Sequence, residues 1–331
     1  MSSGATTSTT TSGATTSTSA TSDVSTGEST ATTLVLDVGS DKDVGDGTPV
    51  GCKGKIDFLF VMSRDHNLPV IQPQLVDAFP KFIATIASKF EDFDYHIMVV
   101  DTDDYWGMPW QCTHVCPDLE CKRGEPCCLD TQPKGDPCCG VPDYPCGDLG
   151  LVTACDETLG AGTLFNAGFN AANEPCKVDG GRRYLIKGQS DLSDTFACLA
   201  HVGTGGSNQV GAALAAAVAP EINAPGGCND GFLRDDALLM VTMVTPGYDS
   251  SFTGSVAEWY EAVVAAKHGD PDAIVMLVIG NEVCPQGDKP CELAKMFPYN
   301  LIADTDDADY GPAFNAAVAK VEKACMALVP G

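Results

Sequence analysis

Four polar residues within one short stretch offer the most chemistry in this sequence: Ser63, Asp65, His66 and Asn67, which follow the apolar run 56–62. Ser, Asp and His are the residue types of a hydrolytic triad. A triad, however, needs side chains that converge from separate elements, and these three are nearly adjacent in the chain. The sequence also lacks a Gly-x-Ser-x-Gly elbow and a His-Glu-x-x-His motif. These observations disfavour a secreted hydrolase, which remains the alternative reading.

The run 56–62 must position these polar side chains. It is apolar except for Asp57, and it is short and rich in aromatic and β-branched residues. Such a run predicts a strand that is buried on both faces. In an open parallel sheet, ligands bind outside the carboxyl ends of the strands. The polar stretch therefore begins where a fold of this kind places its binding site.

The rest of the chain alternates between two kinds of pattern. Further apolar runs at 95–100, 237–244 and 273–279 predict buried strands, and 183–186 predicts a short edge strand. Apolar residues at helical spacing predict helices over 75–90, 192–202, 209–219, 256–267 and 312–328. Strands that alternate with amphipathic helices are typical of an α/β fold. The sequence thus predicts a doubly wound, mostly parallel sheet with helices on both faces.

The first strand and its loop resemble those of a von Willebrand factor type A domain, and the resemblance spans about residues 52–328. In that family the loop reads Asp-x-Ser-x-Ser and holds a divalent cation. Its three positions fall here on Ser63, Asp65 and Asn67. All three carry oxygen, but the leading carboxylate is absent and a carboxylate stands two residues later. The resemblance therefore implies a degenerate form of the family's metal site.

The same resemblance implies two further ligands. The family supplies a Thr from a loop before a helix, and Thr204 in the glycine-rich stretch 203–207 matches it. The family's central strand commonly ends in Thr-Asp, whereas this chain has Thr245 followed by Pro246, and Asp249 is the carboxylate that follows. Such oxygen ligands suit Mg²⁺ or Ca²⁺. We expect that either cation binds weakly or not at all.

The resemblance also indicates the class of function. Domains of this family typically bind protein or matrix ligands, so we expect a non-enzymatic adhesion or binding module with a protein or surface ligand.

The chain has 331 residues with 19 basic against 45 acidic side chains, a formal charge of -26. Such a surface repels nucleic acid and anionic lipid. No run of eighteen apolar residues is present, so the sequence predicts no transmembrane segment.

Sixteen cysteines point to an oxidising compartment, and hence to the extracellular space or the cell envelope. The first residues have neither a basic stretch nor an apolar core, so no signal peptide is indicated. A Cys-rich zinc-binding protein is a further alternative, but no Cys-x-x-Cys knuckle occurs, and disulfides are favoured. The disulfide candidates are Cys52, Cys112, Cys116, Cys121, Cys127, Cys128, Cys138, Cys139, Cys146, Cys155, Cys176, Cys198, Cys228, Cys284, Cys291 and Cys325.

Two pairings are suggested among these cysteines. Cys284 and Cys291 flank a Pro- and Gly-containing loop and are close enough in sequence for a local bridge. The termini lie near each other in the fold that the resemblance implies, so Cys52 is predicted to pair with Cys325.

Composition divides the chain into segments. Residues 1–33 are almost entirely Ser, Thr, Ala and Gly, which predicts a disordered tail that acts as a stalk. Residues 34–50 form an acidic linker. Residues 51–329 form the α/β domain, which is interrupted by a Cys-rich insertion, 106–180, without helix or strand periodicity.

Overall fold

The central sheet brings strands together that are far apart in the sequence. The structure is a computed structural model that describes residues 54–107, 109, 144–205, 207–247, 249, 253–281 and 283–327. All of them belong to one compact unit, Gly45–Gly331. The predicted tail 1–33, the predicted linker 34–50 and part of the Cys-rich insertion lie outside the described residues.

Six strands form the main sheet, in the order β4-β2-β1-β6-β7-β8. Their bounds are β1 Lys55–Met62, β2 Asp94–Asp101, β4 Leu185–Ile186, β6 Leu238–Val244, β7 Ile274–Gly280 and β8 Tyr299–Asp304. Neighbouring strands run parallel except for β4, which pairs antiparallel with β2. A separate two-stranded antiparallel sheet joins β3 (Phe169–Ala171) to β5 (Val202–Thr204). The predicted doubly wound, mostly parallel sheet is confirmed.

Helices cover both faces of this sheet. Their bounds are α1 Leu68–Lys89, α2 Leu192–Ala200, α3 Val210–Ala217, α4 Pro220–Asn223, α5 Val256–Ala265, α6 Lys289–Ala294 and α7 Gly311–Ala327. Helix α1 runs through both Pro73 and Pro80. Among the described residues, no helix is long and apolar enough to cross a membrane.

Strand β1 shows why both faces of the sheet are covered. Phe58 and Phe60 belong to the core cluster on one face, together with side chains of α1, α2 and α7. Leu59 and Val61 belong to the cluster on the other face, together with side chains of α3 and α5. Alternate residues of a strand point to opposite faces. A central strand buried on both sides must therefore be apolar at nearly every position.

Phe60 is the centre of the first cluster. Its ring makes edge-on contacts with Phe79, Phe82 and Phe196 at centroid distances of 5.0 to 6.3 Å. Phe79 and Phe196 stack face to face at 3.5 Å. Aromatic contacts of this kind add to the gain from burial. They fix α1 and α2 against β1, and so set the direction in which the chain leaves the strand.

The structure departs from the sequence predictions in several places. The predicted helix 192–202 ends at Ala200, and Val202 begins β5, which pairs with β3 of the insertion. Strand β8 and helices α4 and α6 were not predicted, nor was β3, which lies inside the insertion 106–180 that was expected to lack strands. The insertion is thus tied to the fold by a strand pairing that no local pattern specifies.

Disulfides also tie the insertion to the rest of the fold. Cys155 is bonded to Cys228 and Cys176 to Cys198, while Cys284 is bonded to Cys291 across the loop after β7. Cys325 is disulfide-bonded too. Its predicted partner, Cys52, lies outside the described residues, and that pairing stays a prediction.

Candidate functional site

The candidate site lies where the order of the strands reverses. From β1 the chain proceeds to β2 on one side, whereas β6 and the strands after it lie on the other side. The loops that follow β1 and β6 therefore leave the sheet at a topological switch point, which is the usual binding crevice of an open α/β sheet. The backbone N–H of Ser63 donates to Val244 O at 2.9 Å, so the two loops begin side by side.

Ser63 forms the buried base of this crevice. Its side chain is fully buried, and its Oγ donates to Oδ1 of Asn208 at 2.8 Å. The same Oγ accepts from the backbone N–H of Asp65 at 3.0 Å. Oγ1 of Thr102, at the end of β2, lies 3.2 Å from the same Asn208 oxygen. The hydroxyl of Ser63 thus belongs to a hydrogen-bonded cluster that joins three loops.

Asn208 was not among the predicted site residues. It lies two residues before α3, in the loop where Thr204 was chosen. Thr204 instead ends β5, and its Oγ1 lies 3.5 Å from Phe169 O in the insertion. The structure therefore brings Asn208, and not Thr204, to Ser63. A ligand role for Thr204 stays a prediction.

Asp65 is held between the two loops of the crevice. Its Oδ1 accepts from the backbone N–H of Asn67 at 2.9 Å and lies 3.3 Å from Nδ1 of His66. A Cβ added to Gly247, in the loop after β6, would lie 2.5 Å from Oδ2 of Asp65. Glycine at position 247 thus permits the close approach of the two loops. The Asp65 side chain is 16% exposed, whereas that of His66 is 84% exposed.

The remaining predicted ligands lie at the margins of the crevice. Asn67 is exposed and directly precedes α1, and its side chain makes no capping hydrogen bond. Asp249 accepts a long hydrogen bond, 3.4 Å, from the backbone N–H of Gly211 in the first turn of α3. Anchoring to a helix N-terminus favours a carboxylate, because unpaired N–H groups point out of that end.

The buried guanidinium of Arg64 lies beside this hydrogen-bonded cluster, and its role was not predicted. Nε of Arg64 donates to Gly205 O at 2.7 Å, and one Nη donates to Asp101 Oδ2 at 3.0 Å. The other Nη donates to Ala167 O at 2.9 Å. Arg64 is 3% exposed. One buried cation therefore joins the first loop, β2, the glycine-rich stretch and the insertion.

Burial also raises the pKa values of two carboxyl groups, one at the last residue of β2 and one in the loop after it. Burial raises the pKa of Asp101 above its ordinary value, and the attraction of Arg64 opposes the rise. Burial also raises the pKa of Asp103, to about 6, again against Arg64. Oδ1 of Asp103 accepts from the N–H and the hydroxyl of Ser207, at 3.0 and 3.1 Å. Its Oδ2 is buried and has no hydrogen-bond partner.

The chemistry open to this arrangement follows from these contacts. Asp65 supplies the carboxylate of the loop motif, and Ser63 Oγ, which donates to Asn208 and accepts from the Asp65 N–H, keeps one lone pair. Within the described part of the chain, no group of three or more His, Cys, Asp or Glu side chains is arranged to hold a metal ion. A divalent cation at the loop motif would be held by Asp65 with neutral oxygens, which is a poor match for such an ion.

The contacts also bear on the two alternatives. Ser63 bonds Asn208, and His66 faces Asp65, so the described geometry does not pair the hydroxyl with an imidazole base. The cysteines at 155, 176, 198, 228, 284 and 291 are in disulfides and offer no thiolate to zinc.

Comparison with known proteins adds little beyond the fold. No protein-family model matches the chain, and no curated protein matches it. Two structures of proximal thread matrix protein 1 (PTMP1) from the mussel byssus are similar at 13% identity and a TM-score of 0.35, over 83% of this chain. A third, PTMP1 with a zinc-occupied MIDAS motif, has a TM-score of 0.36. The chain spans 47% of the length of these structures, and so remote a likeness carries no argument about function.

Proposed function

We propose that the chain is a non-enzymatic binding module of the von Willebrand factor type A kind that contacts a protein or surface ligand at the carboxyl edge of its sheet. The observation that carries the proposal is the switch point between β1 and β6. There the loop with Asp65 and the exposed His66 meets the loop after β6. A fold alone does not define a function, so the proposal rests on this crevice and its residues.

The proposed location is the extracellular space or the cell envelope. Three disulfides among the described residues support an oxidising compartment. The Ser- and Thr-rich residues 1–33 would then present the module at a distance from its attachment point. This presentation suits adhesion, in which a module must reach a ligand beyond a surface.

The proposed cation site is weak. Asp65 brings one formal charge, and Ser63 and Asn67 add only neutral oxygens. Because calcium affinity follows the number of charged ligands and their rigidity, we expect dissociation constants on the order of 10⁻⁴ M or weaker for Mg²⁺ and Ca²⁺. Isothermal titration of the full chain measures this, with Asp65→Ala as the test variant. Asp77→Ala, on the exposed surface of α1, is the charge-matched control. A micromolar site that survives Asp65→Ala would place the cation elsewhere.

Ligand contact at this edge has its own test. The chain, immobilised on beads, is exposed to an extract of extracellular matrix, and captured proteins are compared between variants. The proposal predicts that the double variant Asp65→Ala/His66→Ala loses the captured ligand, while Asp77→Ala retains it. Equal capture by all three chains would move the binding surface away from the crevice. Labelling with a fluorophosphonate probes the alternative, because a stoichiometric adduct on Ser63 would identify a hydrolase.

A further inference from the structure

The two edges of the main sheet differ in how well they are closed. Strand β4 closes one edge with two residues and runs antiparallel to its neighbour. Strand β8 forms the other edge with six residues, YNLIAD, and runs parallel to β7. Natural proteins usually blunt an edge with a short strand, a proline, a bulge or an inward charge. Within β8 there is no proline and no lysine.

The hydrogen bonds show which groups of β8 are open. The N–H of Thr305, directly after β8, donates to Gly280 O of β7 at 2.8 Å. Backbone groups alternate sides along a strand, so Leu301 and Ala303 also direct theirs to β7. The N–H and C=O of Asn300 and Ile302 therefore face away from the sheet. No described residue forms a backbone hydrogen bond with them on that side.

The side chains of β8 leave this edge accessible. Tyr299, Leu301 and Ile302 are each partly buried, and they pack against the core clusters on the two faces of the sheet. Ala303 is the one buried residue of the strand. The helices therefore cover the faces of β8, while its outer rim presents backbone groups and partly buried apolar side chains. Such a rim is a template for one more strand.

Charge indicates which kind of strand would fit. Asp304 ends β8, and the exposed Asp306 and Asp307 follow it. Neither Asp306 nor Asp307 has a salt-bridge partner among the described residues. A second copy of this chain would bring a formal charge of -26 against the same surface. A basic segment would instead neutralise the acidic end of the edge.

We propose that β8 is a docking edge for an extended basic segment of a partner protein, which adds to the sheet as a seventh strand. The backbone of Asn300 and Ile302 supplies the hydrogen bonds, and Asp304, Asp306 and Asp307 select basic side chains. This surface is lateral to the sheet and distinct from the crevice at its carboxyl edge.

The test uses the full chain and an eight-residue probe, acetyl-(Lys-Val)₄-amide. Its control is the same peptide methylated at every backbone nitrogen, which keeps the charge but cannot donate as a strand. Titration calorimetry should show binding of the first peptide and at least about tenfold weaker binding of the second, since each lost hydrogen bond reduces affinity severalfold. Equal binding of both peptides would reduce the interaction to charge alone and overturn the proposal.

Two variants locate the binding. Ile302→Pro removes the outward N–H and leaves the β7 ladder intact, a position where an edge strand tolerates proline. It should weaken binding of the Lys-Val probe about tenfold, whereas Ile302→Thr, which keeps the N–H, should not. Asp306→Asn/Asp307→Asn should weaken it about threefold at low salt. Full binding by a folded Ile302→Pro chain would refute the proposal. If that variant does not fold, the comparison of the two peptides on the wild-type chain still tests the proposal.

Sedimentation of the wild-type chain alone tests whether a second copy of this chain occupies the β8 edge. A monomer at micromolar concentration is the expected result. A dimer that Ile302→Pro abolishes would assign this edge to a second copy and overturn the partner segment.

Discussion

Arg64 and Asp101 form a buried ion pair, with one guanidinium nitrogen 3.0 Å from a carboxylate oxygen, beside a loop that the sequence marks as polar. The Arg64 side chain is 1% exposed and that of Asp101 17%. Two backbone carbonyls, of Gly205 and Ala167, accept the remaining guanidinium bonds. Arg64 thus fixes the crevice loop both to β2, through Asp101, and to the insertion, through Ala167. Its removal should therefore destabilise both contacts.

Arg64→Met should destabilise the chain strongly. It leaves the buried Asp101 carboxylate without its cation, and breaking a buried pair on one side costs about 3–5 kcal/mol. Arg64→Lys keeps a charge but loses the planar fork, so its stability should lie between those of the wild-type chain and Arg64→Met. The free energy of unfolding in urea measures both. The control is Lys55→Met at the half-exposed Lys55–Asp236 pair, where the loss should stay under about 1 kcal/mol. Similar losses at both sites would contradict a special role for Arg64.

Asp103 should make stability depend on pH. Burial raises the pKa of Asp103 from 3.8 to about 6 in the folded chain. The folded state therefore holds this proton more tightly, and the associated stability is fully present below about pH 4 and is lost as pH rises through 6. Asp103→Asn removes the titration. Relative to wild type, we expect this variant to gain about 3 kcal/mol between pH 4 and pH 7.

The pH experiment needs a difference measurement, because another buried group acts in the opposite direction. Burial lowers the pKa of His96 from 6.5 to about 4, so its stability contribution is lost as pH falls from 6.5 through 4. This contribution cancels when Asp103→Asn is compared with wild type at each pH. Urea unfolding from pH 4 to 7.5 supplies the data, with Asp77→Asn as control. A constant difference across that range would show that Asp103 does not titrate there.

The disulfide between Cys155 and Cys228 should contribute more than the local one between Cys284 and Cys291. The first bridges residues 73 apart and the second residues 7 apart. The loop-entropy account gives about 4 kcal/mol for the longer loop and about 2 kcal/mol for the shorter, with native strain able to reduce either. Paired Cys→Ala variants and their free energies of unfolding test the order. A larger loss of stability at the short bridge would mean that native packing, and not chain entropy, sets the contribution of these disulfides.

Cys52 is predicted to pair with Cys325, which lies in α7 and is disulfide-bonded. Peptide mapping of the non-reduced chain identifies the partner directly. A peptide that joins Cys325 to a cysteine of the insertion would exclude the predicted pair. If the prediction holds, the bridge closes most of the chain, which corresponds to about 5–6 kcal/mol in the loop-entropy account, less any native strain.

Burial on both faces explains how much of the fold the sequence predicts. Strands β1, β2, β6 and β7 are buried nearly throughout, so each reads as a continuous apolar run. Strand β8 lies at the edge and is only partly buried, and its apolar residues Tyr299, Leu301, Ile302 and Ala303 neither form a long apolar run nor alternate regularly with polar residues. The two sequence patterns that predict a strand are therefore both weak here. This is why β8 was missed.

The site was predictable only in part, for a different reason. The position of Ser63 and Asp65 follows from the end of a buried strand, which is a local feature. The burial of Arg64 depends on Ala167 of the insertion, more than a hundred residues later, and a loop arginine usually predicts exposure. Asn208 lies in the glycine-containing loop that follows Thr204, the last residue of β5. Pairing between β3 and β5 turns Thr204 towards Phe169, and such non-local pairing leaves no periodicity to read.

The connection of Cys155 to Cys228 also bears on the order of events during synthesis. When Cys228 leaves the ribosome, β1, β2 and β4 are complete, but β6, which must pair with β1 across about 180 residues of chain, has not been made. If the chain is made in an oxidising compartment, as proposed above, it can close this bridge, and the shorter one between Cys176 and Cys198, before β6 exists. The last strands then join a half-domain that is already cross-linked, in which the two bridges restrict the conformations open to the unfinished chain.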